Sequence, residues 1–163
     1  NQYSKNDKKY SGLYNTYQVS ATMITSEIDE ALLQREGFFM QWSAEKARRE
    51  REKRFQQRSA SAKFFISMFT PKRDYNELHR RNSMWKVYIE SNGQRYMGKV
   101  TLNKQKLAQV KNLYPYHRRF NKAYIAEFNI PMSALEKQKV KMIVTSSLGN
   151  TVFDFNPSQP QSE

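Results

Sequence analysis

Two segments of this chain gather side chains suited to recognising a charged ligand. PKRDYNELHRR supplies Lys72, Arg73, Tyr75, His79, Arg80 and Arg81, and YPYHRRFNK supplies Tyr114, Tyr116, His117, Arg118, Arg119, Phe120 and Lys122. Each contains an adjacent arginine pair beside a histidine. Guanidinium forks match phosphate and carboxylate geometry, and tyrosine faces match bases or sugars. The expected anion- or partner-binding set is therefore Lys72, Arg73, His79, Arg80, Arg81, Tyr114, Tyr116, His117, Arg118, Arg119 and Lys122, provided both segments reach the same end of the fold. The plainer reading makes both of them solvated loops whose aromatics tuck beneath as the rim of a core. Asp74 and Asn76, following Thr70-Pro71, read as turn residues that bond nearby backbone.

Catalytic chemistry finds little to work with. His79 and His117 each lie beside cations, which lower a histidine's pKa and disfavour metal binding. The acids Asp74, Glu77, Glu90, Glu127 and Asp154 are scattered, and no phosphate-binding Gly-rich loop, GxSxG or HExxH occurs. The absence of cysteine removes disulfides, thiolate metal sites and cysteine nucleophiles. No catalytic residue, metal site or cofactor is expected, and the chain reads as a non-enzyme.

Charge supports binding instead. The net charge is +13, and its location matters: residues 1–62 carry 11 Lys/Arg against 8 Asp/Glu, residues 63–163 carry 17 against 7. The excess belongs to the second part, which is thereby attracted to polyanions. With 163 residues, one domain with a real core is expected. Ten Phe, ten Tyr and two Trp supply much of that core despite the low mean hydropathy of −0.90. No run approaches the ~18–20 apolar residues of a membrane-spanning helix.

The elements that must position these loops follow from periodicity. Residues 1–15 are polar and read as a flexible tether. Residues 16–62 read as helical, either a hairpin or one long helix. Ile24, Ile28, Ala31, Leu32, Arg35, Phe39 and Trp42 form one stripe, Thr25 or Ser26 can cap the start, and Glu36-Gly37 can form a corner. Ser43–Ser61 is polar nearly all round, with Glu45→Arg49 and Glu50→Arg54 pairs at helical spacing. Its interleaved glutamates argue against an RNA-binding role.

Residues 63–155 read as β. Lys63–Thr70 is apolar on both faces and so central; Met84–Glu90 is joined to Gln94–Val100 by an Asn-Gly turn. A short helix over Lys104–Leu113, a strand over Tyr124–Asn129, a single helical turn over Met132–Glu136 and strands over Lys139–Ser146 and Thr151–Phe155 follow. Residues 156–163 read as a disordered tail. The expected fold is α+β: an N-terminal helical region on an antiparallel β-sandwich of immunoglobulin-like or C2-like topology, with Trp42 and Trp85 as core anchors.

A polar opening, a helical hairpin, a strand ending in Thr70-Pro71, Trp85 opening the next strand, an Asn-Gly turn and a strand ending in Asn129-Ile130-Pro131 together resemble uncharacterised bacterial envelope lipoproteins. The resemblance spans roughly residues 16–155. It implies a periplasmic, membrane-tethered β-sandwich, held at the outer membrane through a lipidated residue before Asn1, and it carries over no functional residue. The function expected is a binding or assembly module for a partner protein or an anionic envelope component. The alternative is a nucleic-acid-binding module using the same loops, with Tyr114 and Tyr116 stacking on bases.

Overall fold

The computed structural model describes residues 4–11 and 14–156. It begins with a β-hairpin, β1 (Ser4–Ser11) and β2 (Tyr14–Met23), paired antiparallel from Ser4↔Thr22 to Ser11↔Tyr14. Residues 4–11 and 14–15 are thus strand where a tether is expected, and residues 16–23 are strand where a helix is expected to start. Residues 1–3 and 12–13 of the expected tether lie outside the described residues. In Tyr17-Gln-Val-Ser-Ala-Thr-Met23 every second residue is apolar, and Tyr17, Val19, Ala21 and Met23 are all fully buried. A period of two outweighs the weaker helical stripe that begins a few residues later. β1 is a polar edge strand carrying three lysines, a composition that discourages pairing with other chains.

The helices come next. α1 (Ser26–Phe39) is capped by Thr25, whose Oγ1 accepts from the Ile28 amide at 3.3 Å, and α2 (Ala44–Ala60) by Ser43, whose Oγ accepts from the Lys46 amide at 3.1 Å. The corner falls at Met40–Ser43 rather than at Gly37. α1 continues through Gly37, and the Trp42 ring occupies the space a side chain there would take, 3.2 Å from the position of an added Cβ. Gln41 makes the reversal at φ +54°. Trp42 is thus only partly buried at this corner, whereas Trp85 is the core anchor expected, 3 % exposed.

The remaining chain builds two antiparallel sheets. β3 (Ala62–Phe69) is central in a five-stranded sheet of order β1-β2-β3-β7-β6, with β6 at Lys99–Leu102 and β7 at Lys122–Phe128. The four-stranded sheet has the order β5-β4-β8-β9, with β4 at Lys86–Ser91, β5 at Gln94–Met97, β8 at Val140–Ser146 and β9 at Gly149–Phe155. Asn92 and Gly93, at φ +51° and +75°, make the expected tight turn between β4 and β5.

β5 and β6 are separated only by Gly98, where the chain leaves one sheet for the other. A Cβ at Gly98 would lie 2.9 Å from the Phe128 ring and 3.1 Å from the Val87 carbonyl oxygen, so this passage needs glycine. α3 (Leu107–Leu113) and α4 (Met132–Leu135) fall where a short helix and a single turn are expected.

One core lies between inward residues of both sheets: Val19, Phe64, Ile66, Tyr124 and Phe128 from the first, and Val87, Ile89, Met142, Val144, Phe153 and Phe155 from the second. The Tyr17 hydroxyl and Thr151 Oγ1, 2.7 Å apart, form a buried hydrogen bond from β2 to β9. A smaller apolar cluster covers the opposite face of the five-stranded sheet, where Ile24 just before α1, Leu32 of α1, Val110 and Leu113 of α3 and Tyr114 just after it enclose Phe65. The molecule is therefore α+β, with two antiparallel sheets and its helices interleaved among the strands instead of collected at one terminus. The residues read as a disordered tail lie, apart from Asn156, outside the described residues.

Candidate functional site: a cationic end built on neutral hydrogen bonds

The register of β3 against β7 brings the two basic loops together. Met68 pairs with Lys122, so the exit of β3 and the entry of β7 lie at the same end of the sheet. The connection between them is direct. Asn76 Nδ2 donates to the Met68 carbonyl at 2.8 Å, the Tyr124 hydroxyl donates to Asn76 Oδ1 at 2.7 Å, and Lys122 Nζ donates to the Asn76 carbonyl at 2.8 Å. Asn76 is 4 % exposed, so the structural role expected for it is met by a side chain satisfied at both ends. Asp74 is instead exposed on a short 3-10 turn. Trp85 Nε1 donates to the Tyr75 carbonyl at 2.7 Å and ties the first loop to the core.

The second loop is anchored through Ser67. Its Oγ accepts from Asn121 Nδ2 at 2.9 Å and lies 2.7 Å from His117 Nδ1. A hydroxyl that accepts from Asn121 can give its own proton to Nδ1, which suits a neutral imidazole. His117 is 4 % exposed, and burial lowers its pKa, with the Lys111 charge adding to the effect. His79 stacks beside the Tyr124 ring with centroids 5.9 Å apart. Its pKa is lowered first by desolvation, then by Lys122 and Arg80, and Glu77 opposes them. Its Nδ1 and Glu77 Oε2 are buried with no hydrogen-bond partner.

The expected site residues thus divide by placement. Tyr114 and His117 are buried and Tyr116 is partly so. Tyr114 stacks on Phe65 at a 3.6 Å centroid distance, and the Tyr116 hydroxyl is 2.5 Å from Thr22 Oγ1. Burial pushes both phenols well above their usual range. These rings cover the outer face of the sheet and are not presented for stacking on a base.

Lys72, Arg73, Arg80, Arg81, Arg118, Arg119 and Lys122 are exposed at the loop end. Among the described residues, none of the five arginine side chains makes an ion pair or hydrogen bond; Arg119 lies over the Phe120 ring at 5.8 Å, and Phe120 is 71 % exposed. The fold therefore holds the loops mainly with neutral polar groups, Lys122 excepted, and leaves the arginines outward. Such a surface can take a phosphate, carboxylate or sulfate-bearing partner by multiple forked contacts.

A second charged region escaped the sequence reading. α2 buries no residue, and its arginines attach it to α1. Arg54 pairs with Asp29 at 3.4 Å and with Glu36, Arg58 pairs with Asp29, and Arg51 pairs with Glu30 at 2.9 Å. The Glu50→Arg54 pair expected within α2 is replaced by these bonds between helices, while Glu45–Arg49 forms at 3.0 Å.

Gln105 and Gln109 Nε2 also donate to Glu36 Oε1, at 3.3 and 3.2 Å. The network lines a cleft of about 470 Å³ between the helices and the sheet, with Ile24, Leu32, Leu113, Tyr114 and Ile125 as its apolar part. Complementary composition was the available signal: α1 holds Glu27, Asp29, Glu30 and Glu36 against Arg35 alone, and α2 is strongly basic.

Among the described residues, no three His, Asp or Glu side chains gather as a metal site, and no helix is long and apolar enough to cross a membrane. No family model, curated protein or solved structure matches this chain.

Proposed function

We propose that the protein is a non-enzymatic binding or assembly module of the bacterial cell envelope whose loop end takes an acidic partner, either a protein surface or an anionic envelope component. One observation carries this reading: two loops distant in sequence are hydrogen-bonded into one end of the fold, and their arginines are left unpaired and outward. The envelope setting rests on the resemblance to envelope lipoproteins alone. Two facing sheets sharing a core support a sandwich, and an immunoglobulin-like strand order remains part of the proposal. Burial of Tyr114 and Tyr116 weighs against the nucleic-acid alternative, since single-strand binding draws much of its strength from stacking.

The test is salt-gradient elution from immobilised heparin, a generic polyanion, alongside titration of a single-stranded RNA 20-mer. Reversal of Arg80, Arg81, Arg118 and Arg119 to Glu is compared with reversal of four other cations of the β part, Lys86, Lys99, Lys139 and Lys141. Both quadruple variants change net charge equally, so a specific site predicts much earlier elution for the loop variant only. Equal shifts would sink the loop site and leave bulk charge as the explanation. RNA binding with a steep salt slope, lost in the loop variant, would favour the nucleic-acid reading instead.

A further inference from the structure

The α1–α2 corner presents a second surface of different chemistry. Phe38 is 89 % exposed, Met40 51 % and Phe39 47 %, and they lie consecutively at the point where the hairpin turns. Trp42 follows, held in place over Gly37, with the Lys46 ammonium 5.6 Å from its ring centroid. Arg35 and Arg48 flank the corner, are exposed, and make no ion pair among the described residues. Three large exposed apolar side chains, a partly exposed indole and three cations without ion pairs among the described residues are therefore gathered within residues 35–48, around a corner capped at the start of α2.

We propose that this corner docks on an anionic lipid surface, with Phe38, Phe39 and Met40 entering the acyl boundary, Trp42 at the headgroup level, and Arg35, Lys46 and Arg48 on lipid phosphates. Three arguments select lipid over a protein partner. The apolar residues sit at the tip of a helical hairpin, Phe38 89 % exposed, and a bilayer accepts such a tip without a matching cavity. Its exposed area is small, roughly 400 Å² at about 200 Å² per large side chain, half of the ~800 Å² that one partner gives to a standard protein interface. Its composition joins aromatic and apolar side chains to surrounding Lys and Arg, the combination that binds the interface of anionic membranes. The corner is separate in sequence from the basic loops, so the proposal stands apart from the polyanion reading of the loop end.

Vesicle flotation tests it, using phosphatidylcholine vesicles with and without about a third phosphatidylglycerol, and Trp emission as a second readout. Trp85 is 3 % exposed and already shielded, so a blue shift on binding reports Trp42. The wild-type chain should float with the anionic vesicles and show that shift. Phe38→Glu/Phe39→Glu, at exposed positions and so leaving the fold intact by circular dichroism, should lose at least tenfold in vesicle affinity and the entire shift. Arg118→Glu/Arg119→Glu should keep the blue shift. Failure of the wild type to bind, or binding by the Phe38/Phe39 variant at wild-type strength, overturns the proposal; so does binding without any change in Trp emission.

Discussion

Around Asn76 and Ser67 the loop end is held by amide, hydroxyl and imidazole groups with Lys122 as the one cation taking part and the arginines left over, whereas in the α1–α2 hairpin the arginines themselves do the holding. Both regions are rich in arginine, but the hairpin matches its 8 Lys/Arg with 7 Asp/Glu, whereas the loop end carries a clear excess of cations. The loop end joins Met68, Asn76, Lys122 and Tyr124 through three bonds of 2.7–2.8 Å, and its arginines are unpaired. The hairpin joins Arg54 and Arg58 to Asp29 and Glu36, with side chains only 11–20 % exposed. A charge consumed in an ion pair cannot also recognise a ligand, so arginines form a structural clamp where acids are at hand and a candidate binding surface where they are few.

The sharpest way to break this contrast is to remove the neutral anchor. Asn76→Ala removes the side-chain donor to the Met68 carbonyl and the acceptor of the Tyr124 hydroxyl, which keeps only its contact with the Leu78 backbone, and an unsatisfied buried polar group costs about 1–3 kcal/mol. A loss of about 3 kcal/mol is expected in urea unfolding, with little change as salt is raised from 0.05 to about 0.5 M, because no charge pair is involved. A loss below about 0.5 kcal/mol would mean that water replaces both bonds and that the loop end is not anchored through Asn76.

The clamp should respond differently. Asp29→Ala leaves Arg58 without its carboxylate and Arg54 with Glu36 alone. Breaking a fully enclosed pair costs about 3–5 kcal/mol, and the partial exposure of these groups reduces the expectation to about 2 kcal/mol. A double-mutant cycle of Asp29→Ala with Arg54→Ala should give a coupling energy of about 1 kcal/mol that shrinks with added salt. Purely additive losses at low salt would show that α2 is held by something other than this pair.

The difference also explains what could be read from the sequence. The strands after Lys63 were legible because each has a strong local signature: the doubly apolar β3, the Asn-Gly turn at 92–93, and the alternation of β7 and β8. The loop cations were legible as residue types, and their meeting required only the Met68↔Lys122 register.

β2 was not legible as a strand beside a helical stripe starting at Ile24. Its partner β1 offers no apolar periodicity at all. The inward turn of Tyr114 and Tyr116 was one of two readings the sequence left open, aromatics tucked beneath as core rim or facing a ligand, because an aromatic beside arginines gives no sign of whether Phe65 or a ligand will cover it. The clamp lay in two helices whose pairings span 18 to 29 positions, beyond the i, i+4 rule.

The smallest expected effect concerns the histidines of the loop end, and its sign is fixed by their environment. His79 and His117 both have folded-state pKa values below the ordinary value of 6.5, chiefly through desolvation. The folded state then binds fewer protons than the unfolded chain at pH values between the lowered and the ordinary pKa, so stability falls as pH drops through about 6.5. The loss ends once pH is below the folded values, and above about pH 7 the two groups contribute no pH dependence. Urea midpoints measured from pH 8 to pH 5 should stay level and then decline. His79→Gln/His117→Gln should flatten that decline, whatever its effect on stability at pH 8. An unchanged slope in the double variant would show that the acid sensitivity does not come from these two imidazoles.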